Sequence, residues 1–177
     1  NVYDSHEMGS AVYPVLSLCN HSCDPNVVRH NYDGDTVVLR AIQAISKGDQ
    51  ICDSYGYHYA VHGIKMRQTN LSQQYYFKCQ CVACVENWPI YTELPSNHPI
   101  YKESSLQARV EKSSEIFKKV LSDVVEGNME GKLEFLFNHL ALLHKAVKRP
   151  WKEYSECQET IKQCLSFQGN HYIILKE

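Results

Sequence analysis

The sequence has no apolar run near the ~20 residues that a membrane-crossing helix needs, so no bilayer span is expected. It has no basic excess, with 18 Lys and Arg against 20 Asp and Glu and a net charge of −2, and so no electrostatic footprint for a nucleic acid. It has no long block of like charge, which removes a solvated interaction tail. It has no secretory leader and no opening methionine, and its first and last residues read as cuts through a longer protein. Eight cysteines without a secretory leader point to a reducing compartment, cytosol or nucleus, and away from a disulfide framework. The 177 residues, 44% of them hydrophobic, suffice for one ordinary core or two small ones.

What is present is concentrated in two places. The first is Asn20-His21-Ser22-Cys23-Asp24-Pro25-Asn26, just after the apolar run 12–18. Asp24-Pro25-Asn26 is good turn chemistry, because proline presets φ and Asp and Asn bond their own backbone. A turn does not require Asn20, His21 and Cys23, so the stretch reads as a site. The second is Cys79-Gln80-Cys81-Val82-Ala83-Cys84. That C-x-C-x-x-C spacing suits a tetrahedral metal better than disulfides, which need separated and well-directed Cβ atoms. Structural zinc takes four ligands, and the cluster supplies three. Cys19, Cys23, Cys52, His21 and His58 are candidates for the fourth, with Cys23 preferred because it lies in the other motif. Lys78 would partly offset the charge of four thiolates. Cys19, Cys52, Cys157 and Cys164 read as packing residues.

Around these motifs the pattern predicts short strands over 27–30, 36–42 and 50–55, with Asp33-Gly34-Asp35 as a hairpin turn between the first two. The run 12–18 is ambiguous between strand and helix. A Gln-rich helix over 64–76 leads into the cysteines, and His58 and His62 read as surface or turn residues. Pro95 and Pro99 mark a linker. Beyond it three apolar stripes recur at helical spacing: Leu106, Val110, Phe117, Val120 or Leu121, and Val124; Leu133, Leu136, Leu140, Leu143 and Val147; Trp151, Tyr154, Cys157 or Gln158, Ile161 and Leu165. Pro150 suits a first helical turn, and Gly127-Asn128 and Gly169-Asn170 close helices. Short connections predict antiparallel helix hairpins.

The Asn20-His21-Ser22-Cys23-Asp24-Pro25-Asn26 stretch, the segment Ala44-Ile45-Ser46-Lys47-Gly48-Asp49-Gln50-Ile51, the Tyr55-Gly56 pair and the cysteine cluster, in that order, resemble the SET domain of protein-lysine methyltransferases. The helical region after the cysteines resembles the layout of the SET and MYND domain-containing (SMYD) subfamily, and Val27-Val28-Arg29, His58 and Gln74-Tyr75 are most similar to its fourth type and arthropod relatives. The resemblance implies an α+β fold: the C-terminal part of a β-rich SET domain with a pseudoknot (1–76), a zinc-binding post-SET segment (77–95) and a TPR-like helical lobe (96–177). It implies that Asn20, His21, Tyr55 and Phe77 bind S-adenosylmethionine. It gives Tyr55 and Tyr75 catalytic positions at the lysine channel, and has Cys23 join Cys79, Cys81 and Cys84 on Zn²⁺. The partner would be a protein bearing a substrate lysine, with a groove at the helical lobe for a peptide.

The family's glycine-rich cofactor loop and its MYND cysteines are not in this sequence. Asp4-Ser5-His6-Glu7 stands where relatives carry an Asn, and Tyr57 where many carry proline. The alternative expectation is a zinc-stabilised interaction module that keeps the fold with weak catalysis or none.

Overall fold

The computed structural model describes residues 10–32 and 36–168. Asp33-Gly34-Asp35, Asp4-Ser5-His6-Glu7 and Gly169-Asn170 lie outside them. The fold is α+β, a small strand region followed by helices. Two short sheets form its first part. Strands β1 (Asn20–His21) and β4 (Cys52–Asp53) pair in parallel, with Asn20 opposite Cys52 and His21 opposite Asp53. Strands β2 (Val27–Asn31) and β3 (Val37–Ala41) form an antiparallel ladder from Val27–Ala41 to Asn31–Val37.

The strand expected over 50–55 shrinks to two residues for a local reason. Asn26 stands in for a neighbouring strand: its Oδ1 accepts from Cys52 N at 2.8 Å, its Nδ2 donates to Gln50 O at 2.7 Å, and its own N–H donates to Cys52 O at 3.1 Å. Backbone groups satisfied by a side chain need no ladder partner. The brevity of β1 and β4 leaves Cys19 and Cys52 half-exposed instead of in the core. The ambiguous apolar run forms a 3-10 turn, Leu16–Leu18, with Val12, Val15 and Leu18 exposed.

Helix α1 (Ile64–Tyr75) starts after Gly63 and stops where Tyr76 turns left-handed at φ 59°. Four residues apart, Arg67 and Leu71 are its buried positions, so the helix presents one narrow stripe inward. Helix α2 (Val82–Val85) is a single turn within the cysteine cluster. Then α3 (Gln107–Val125), α4 (Leu133–Ala146) and α5 (Lys152–Ser166) pack on one another along the expected stripes. Val110, Phe117, Val120 and Val124 meet Leu136, Leu140 and Leu143, and the third stripe buries Tyr154, Cys157, Gln158, Ile161 and Leu165.

Two details differ from the sequence pattern. Pro150 is outside α5: the Arg149–Pro150 bond is cis, Trp151 is extended, and the helix begins at Lys152. The Trp151 ring is buried, its Nε1 donating to Asn97 O, so the chain needs an extended residue there to seat it. The proline-flanked linker is pinned and not free. Lys102 N donates to Ala146 O and Lys148 N to Ile100 O, both at 2.8 Å, and Tyr101 bridges Val147.

The lobes share contacts. Ile42 and Val28 belong to the helical core, Gln158 Nε2 donates to Ile42 O at 3.2 Å, and His30 meets Ser166. A second core gathers Cys23, Tyr59, Leu71, Cys79, Ala83, Cys84, Trp88 and Leu94, and it carries the site.

Candidate metal centre and adjoining aromatic site

Four sulfurs converge in that second core. Cys23 comes from the loop after β1, Cys79 from the extended segment after α1, Cys81 caps α2, and Cys84 lies within α2. The single turn of α2 brings Cys84 back beside Cys81, with Cys84 N donating to Cys81 O at 2.9 Å. Gln68 on α1 clamps Cys79 at both ends: its Nε2 donates to Cys79 O at 2.8 Å and its Oε1 accepts from Cys79 N at 3.1 Å. Tyr59 N donates to Cys23 O at 2.9 Å and fixes the loop from the other side.

All four Sγ atoms lie within 4.8 Å of one another; Cys23 is 3.6 Å from Cys84 and 3.9 Å from Cys79. A tetrahedron of sulfurs ~2.3 Å from a central zinc has edges of ~3.8 Å. A disulfide would hold its sulfurs at ~2.05 Å. The donor set fits a tetrahedral thiophilic metal ion, and Cys23 is the fourth member. His58 is not one: its Nδ1 accepts from Ala60 N within the same turn. Cys157 and Cys164 are buried on α5, as packing residues would be.

Charge compensation comes from an unexpected residue. Lys78 is exposed, whereas Arg67 is fully buried beside the cluster. Its Nη1 donates to His62 O at 2.6 Å, and its Nη2 donates to Ala83 O at 3.1 Å and Cys84 Sγ at 3.7 Å. Four thiolates around a divalent ion carry −2, and a buried guanidinium offsets half of it. The sequence held one signal for Arg67, its position four before Leu71 on an otherwise polar helix. That signal does not distinguish a buried cation from a solvated one.

A second ion pair ties the loop to the helical lobe. Arg149 donates to Asp24 through Nη2 and to Gln43 Oε1 through Nη1 at 3.0 Å. Its guanidinium lies 4.1 Å from the Tyr154 ring centroid and 5.0 Å from that of Trp88. Burial opposes its charge, but Asp24 and Tyr154 outweigh burial and raise its pKa.

Next to the sulfurs is an aromatic group. The His21 ring centroid is 5.2 Å from Tyr55 and 6.1 Å from Phe77, and Tyr55 is 4.8 Å from Tyr75. The structure therefore places His21, Tyr55, Tyr75 and Phe77 together, with Asn20 exposed at the end of β1. The other aromatics separate: Tyr59 is core, packed edge-on against Trp88, and Tyr76 faces solvent. Tyr55 is held at both ends. Its N–H donates to His21 Nδ1 at 3.0 Å and its hydroxyl to Cys19 O at 2.7 Å. Burial first, then the Asp53 charge, raises the Tyr55 pKa, so it is a phenol at neutral pH.

A cleft of about 780 Å³ separates the strand region from α3 and α5. Its lining includes the apolar Val28, Val61 and Leu121 and the carboxylates of Asp53, Glu156 and Glu159. Among the described residues, no helix is long and apolar enough to cross a membrane.

Comparison with known proteins agrees with this geometry. Residues 1–56 match the SET domain family. A SET and MYND domain-containing protein of Dictyostelium discoideum is 34% identical over 119 residues, 67% of this chain and 9% of that protein. The mouse protein-lysine N-methyltransferase SMYD4 is 43% identical over 77 residues, 44% of this chain and 10% of that protein. The rat N-lysine methyltransferase SMYD2 is 38% identical over 77 residues, 44% of this chain and 17% of that protein. The chain thus spans less than a fifth of the length of each of these relatives.

Proposed function

We propose, for a chain that belongs to the SET and MYND domain-containing family of SET proteins, that it forms the C-terminal part of an S-adenosylmethionine-dependent protein-lysine N-methyltransferase. In this reading residues 1–76 complete a SET domain, 77–95 form its zinc segment, and 96–177 the helical lobe. The observation that carries it is the packing of His21, Tyr55 and Phe77 beside the four-cysteine cluster, with Tyr75 against Tyr55. Cys23, Cys79, Cys81 and Cys84 would hold Zn²⁺, which would supply rigidity and no chemistry at the substrate.

The aromatic group fits part of a cofactor site. Phe77 is half-buried, which leaves part of it open to an adenine, and Asn20 is exposed on β1. When bound, S-adenosylmethionine would supply an electrophilic methyl group on a sulfonium. Tyr55 and Tyr75 would wall the lysine channel, where burial favours the neutral amine that is the competent nucleophile. The Tyr55 hydroxyl donates its proton to Cys19 O, so its oxygen keeps lone pairs that can accept an amine N–H. Its raised pKa makes it an orienting group and not a resting base. The contribution of these side chains is position and alignment. The cleft between the lobes, with carboxylates in its lining, would take the peptide bearing the lysine.

Calorimetry with S-adenosylmethionine tests the reading on the longest available protein carrying this chain, after its zinc content has been measured. Micromolar binding that is lost in Asn20→Ala, with methylation abolished in Tyr55→Phe, is the expected result. A folded, zinc-loaded protein that binds no cofactor overturns it and leaves a zinc-stabilised interaction module.

A further inference from the structure

We infer that the His21 imidazole couples the metal centre to the placement of Tyr55, so that the metal sets the position of the catalytic tyrosine. The inference rests on the reading of Tyr55 given above.

The hydrogen bonds fix the ring. Nδ1 lies 3.0 Å from the Tyr55 backbone nitrogen, which can only donate. Nδ1 is therefore the acceptor nitrogen, and the ring proton sits on Nε2. Nε2 lies 3.3 Å from Cys23 Sγ, within reach for donation to sulfur. Both ring nitrogens are used, one on a metal ligand and one on the backbone of Tyr55. A single tautomer of the neutral ring satisfies both, and no change of charge is involved. Donors to metal ligands orient those ligands and tune the metal.

The surroundings make this imidazole the short path. The other anchor of Tyr55, its hydroxyl, ends on Cys19 O. The strand bearing Cys52 and Asp53 hangs on Asn20, His21 and Ser22, with Ser22 N donating to Asp53 O at 2.9 Å. Both hydrogen-bonded anchors of Tyr55 thus come from residues 19–23, whose end is Cys23, while Asn26 grips Cys52 and Tyr75 packs on the Tyr55 ring. A bound metal holds the Cys23 sulfur at one corner of a tetrahedron. Without it the sulfur is free to change rotamer, and the Nε2 donor loses a fixed acceptor. The ring then keeps its bond to Tyr55 and its packing on Phe77, and Tyr55 its bonds to the ring and Cys19 and its packing on Tyr75, but the link to a fixed metal ligand is gone.

Two readouts test the coupling without any cofactor. The first is the sulfur-to-metal charge-transfer band of the Co²⁺-loaded protein, together with Co²⁺ loss to a chelator. The second is hydrogen exchange at the Tyr55 amide, with the amides of the three long helices as the control for global unfolding. His21→Phe keeps a ring without nitrogens. It should move the charge-transfer band to lower energy, speed metal loss about tenfold or more, and expose the Tyr55 amide whether or not metal is present. In the native protein, removing the metal should expose the same amide while the helical lobe stays protected. His21→Gln carries one donor and one acceptor on one amide plane and should restore both readouts in part.

If His21→Phe loses protection throughout, His21→Asn decides. Its shorter amide cannot reach Cys23, so it should shift the cobalt band and expose the Tyr55 amide as metal removal does. An unshifted band with an unchanged Tyr55 amide in either folded variant overturns the coupling. Cofactor binding takes no part in these measurements, so a failure of the methyltransferase reading shows separately, as absent S-adenosylmethionine binding with the coupling intact.

Discussion

Replacing Arg149 with methionine removes the charge that meets Asp24 while keeping a chain of similar length. The Asp24 and Arg149 side chains are 3% and 11% exposed, so neither charge falls back on water. Breaking a buried pair by deleting one partner costs about 3–5 kcal/mol, mainly because the other charge stays buried and unpaired. The stacking of the guanidinium on Tyr154 and Trp88 adds on the order of 1 kcal/mol more. For a chain of this size that is a fall in melting temperature of roughly 10 °C. Arg149→Met/Asp24→Asn leaves neither charge. It should recover at least ~1 kcal/mol relative to the sum of the single changes, because the two residues are in contact. Urea titration followed by far-UV circular dichroism, at fixed zinc, measures all four proteins. A single variant within ~1 kcal/mol of the parent, or a double variant equal to the sum, refutes the assignment of Arg149 as the cation of a buried pair.

Arg67→Met should release zinc to a chelator about tenfold faster or more while leaving the helical lobe folded, since it removes the cation beside Cys84; an unchanged release rate rejects Arg67 as the compensating charge. His58 is depressed to about 3 by burial, then by the Lys162 and Arg149 charges, so the unfolded chain binds its proton near pH 6.5 and the folded chain does not. Stability from this group is complete above ~pH 6.5 and falls as pH drops toward 3, with a slope of at most ~1.4 kcal/mol per unit. His58→Gln should flatten the pH dependence between 6.5 and 5, and an unaltered slope assigns it to other groups. Gln68→Ala removes both clamps on Cys79 and should weaken metal binding measured by competition, with little change in the α3–α5 hydrogen-exchange pattern. Retention of full affinity would show that the C-x-C-x-x-C turn holds Cys79 by itself.

The three long helices were legible because each stripe repeats every three or four residues and its polar neighbours do not. The cysteine quartet was legible because metal chemistry demands sulfurs at a few fixed spacings, and the remaining ligand sat in the other dense motif. Arg67, Arg149 and the double use of His21 were not. Each depends on a partner distant in sequence, Cys84 at 17 positions from Arg67, Tyr55 at 34 from His21 and Asp24 at 125 from Arg149, and local pattern carries no such information. Lys78 was the sensible sequence choice for the counter-charge because it adjoins Cys79, but adjacency does not fix direction, and Lys78 is exposed while Cys79 is buried. The strand expected over 50–55 failed for a related reason: β propensity records a preference for a pleated neighbour, and Asn26 had taken that neighbour's place.

The four-sulfur cluster also reaches beyond the folded state. Cys23 and Cys79 are 56 positions apart. A metal that stays on its thiolates while the rest of the chain melts turns the intervening segment into a ring. By the chain-entropy relation for a covalent cross-link, closing a ring of that size removes about 4 kcal/mol of freedom from the disordered chain. Zinc would then act on this protein as a disulfide staple does on a small secreted domain. Chelation should enlarge the hydrodynamic radius of the urea-denatured chain and steepen the denaturant dependence of its stability, a signature that a metal merely filling a preformed hole would not leave.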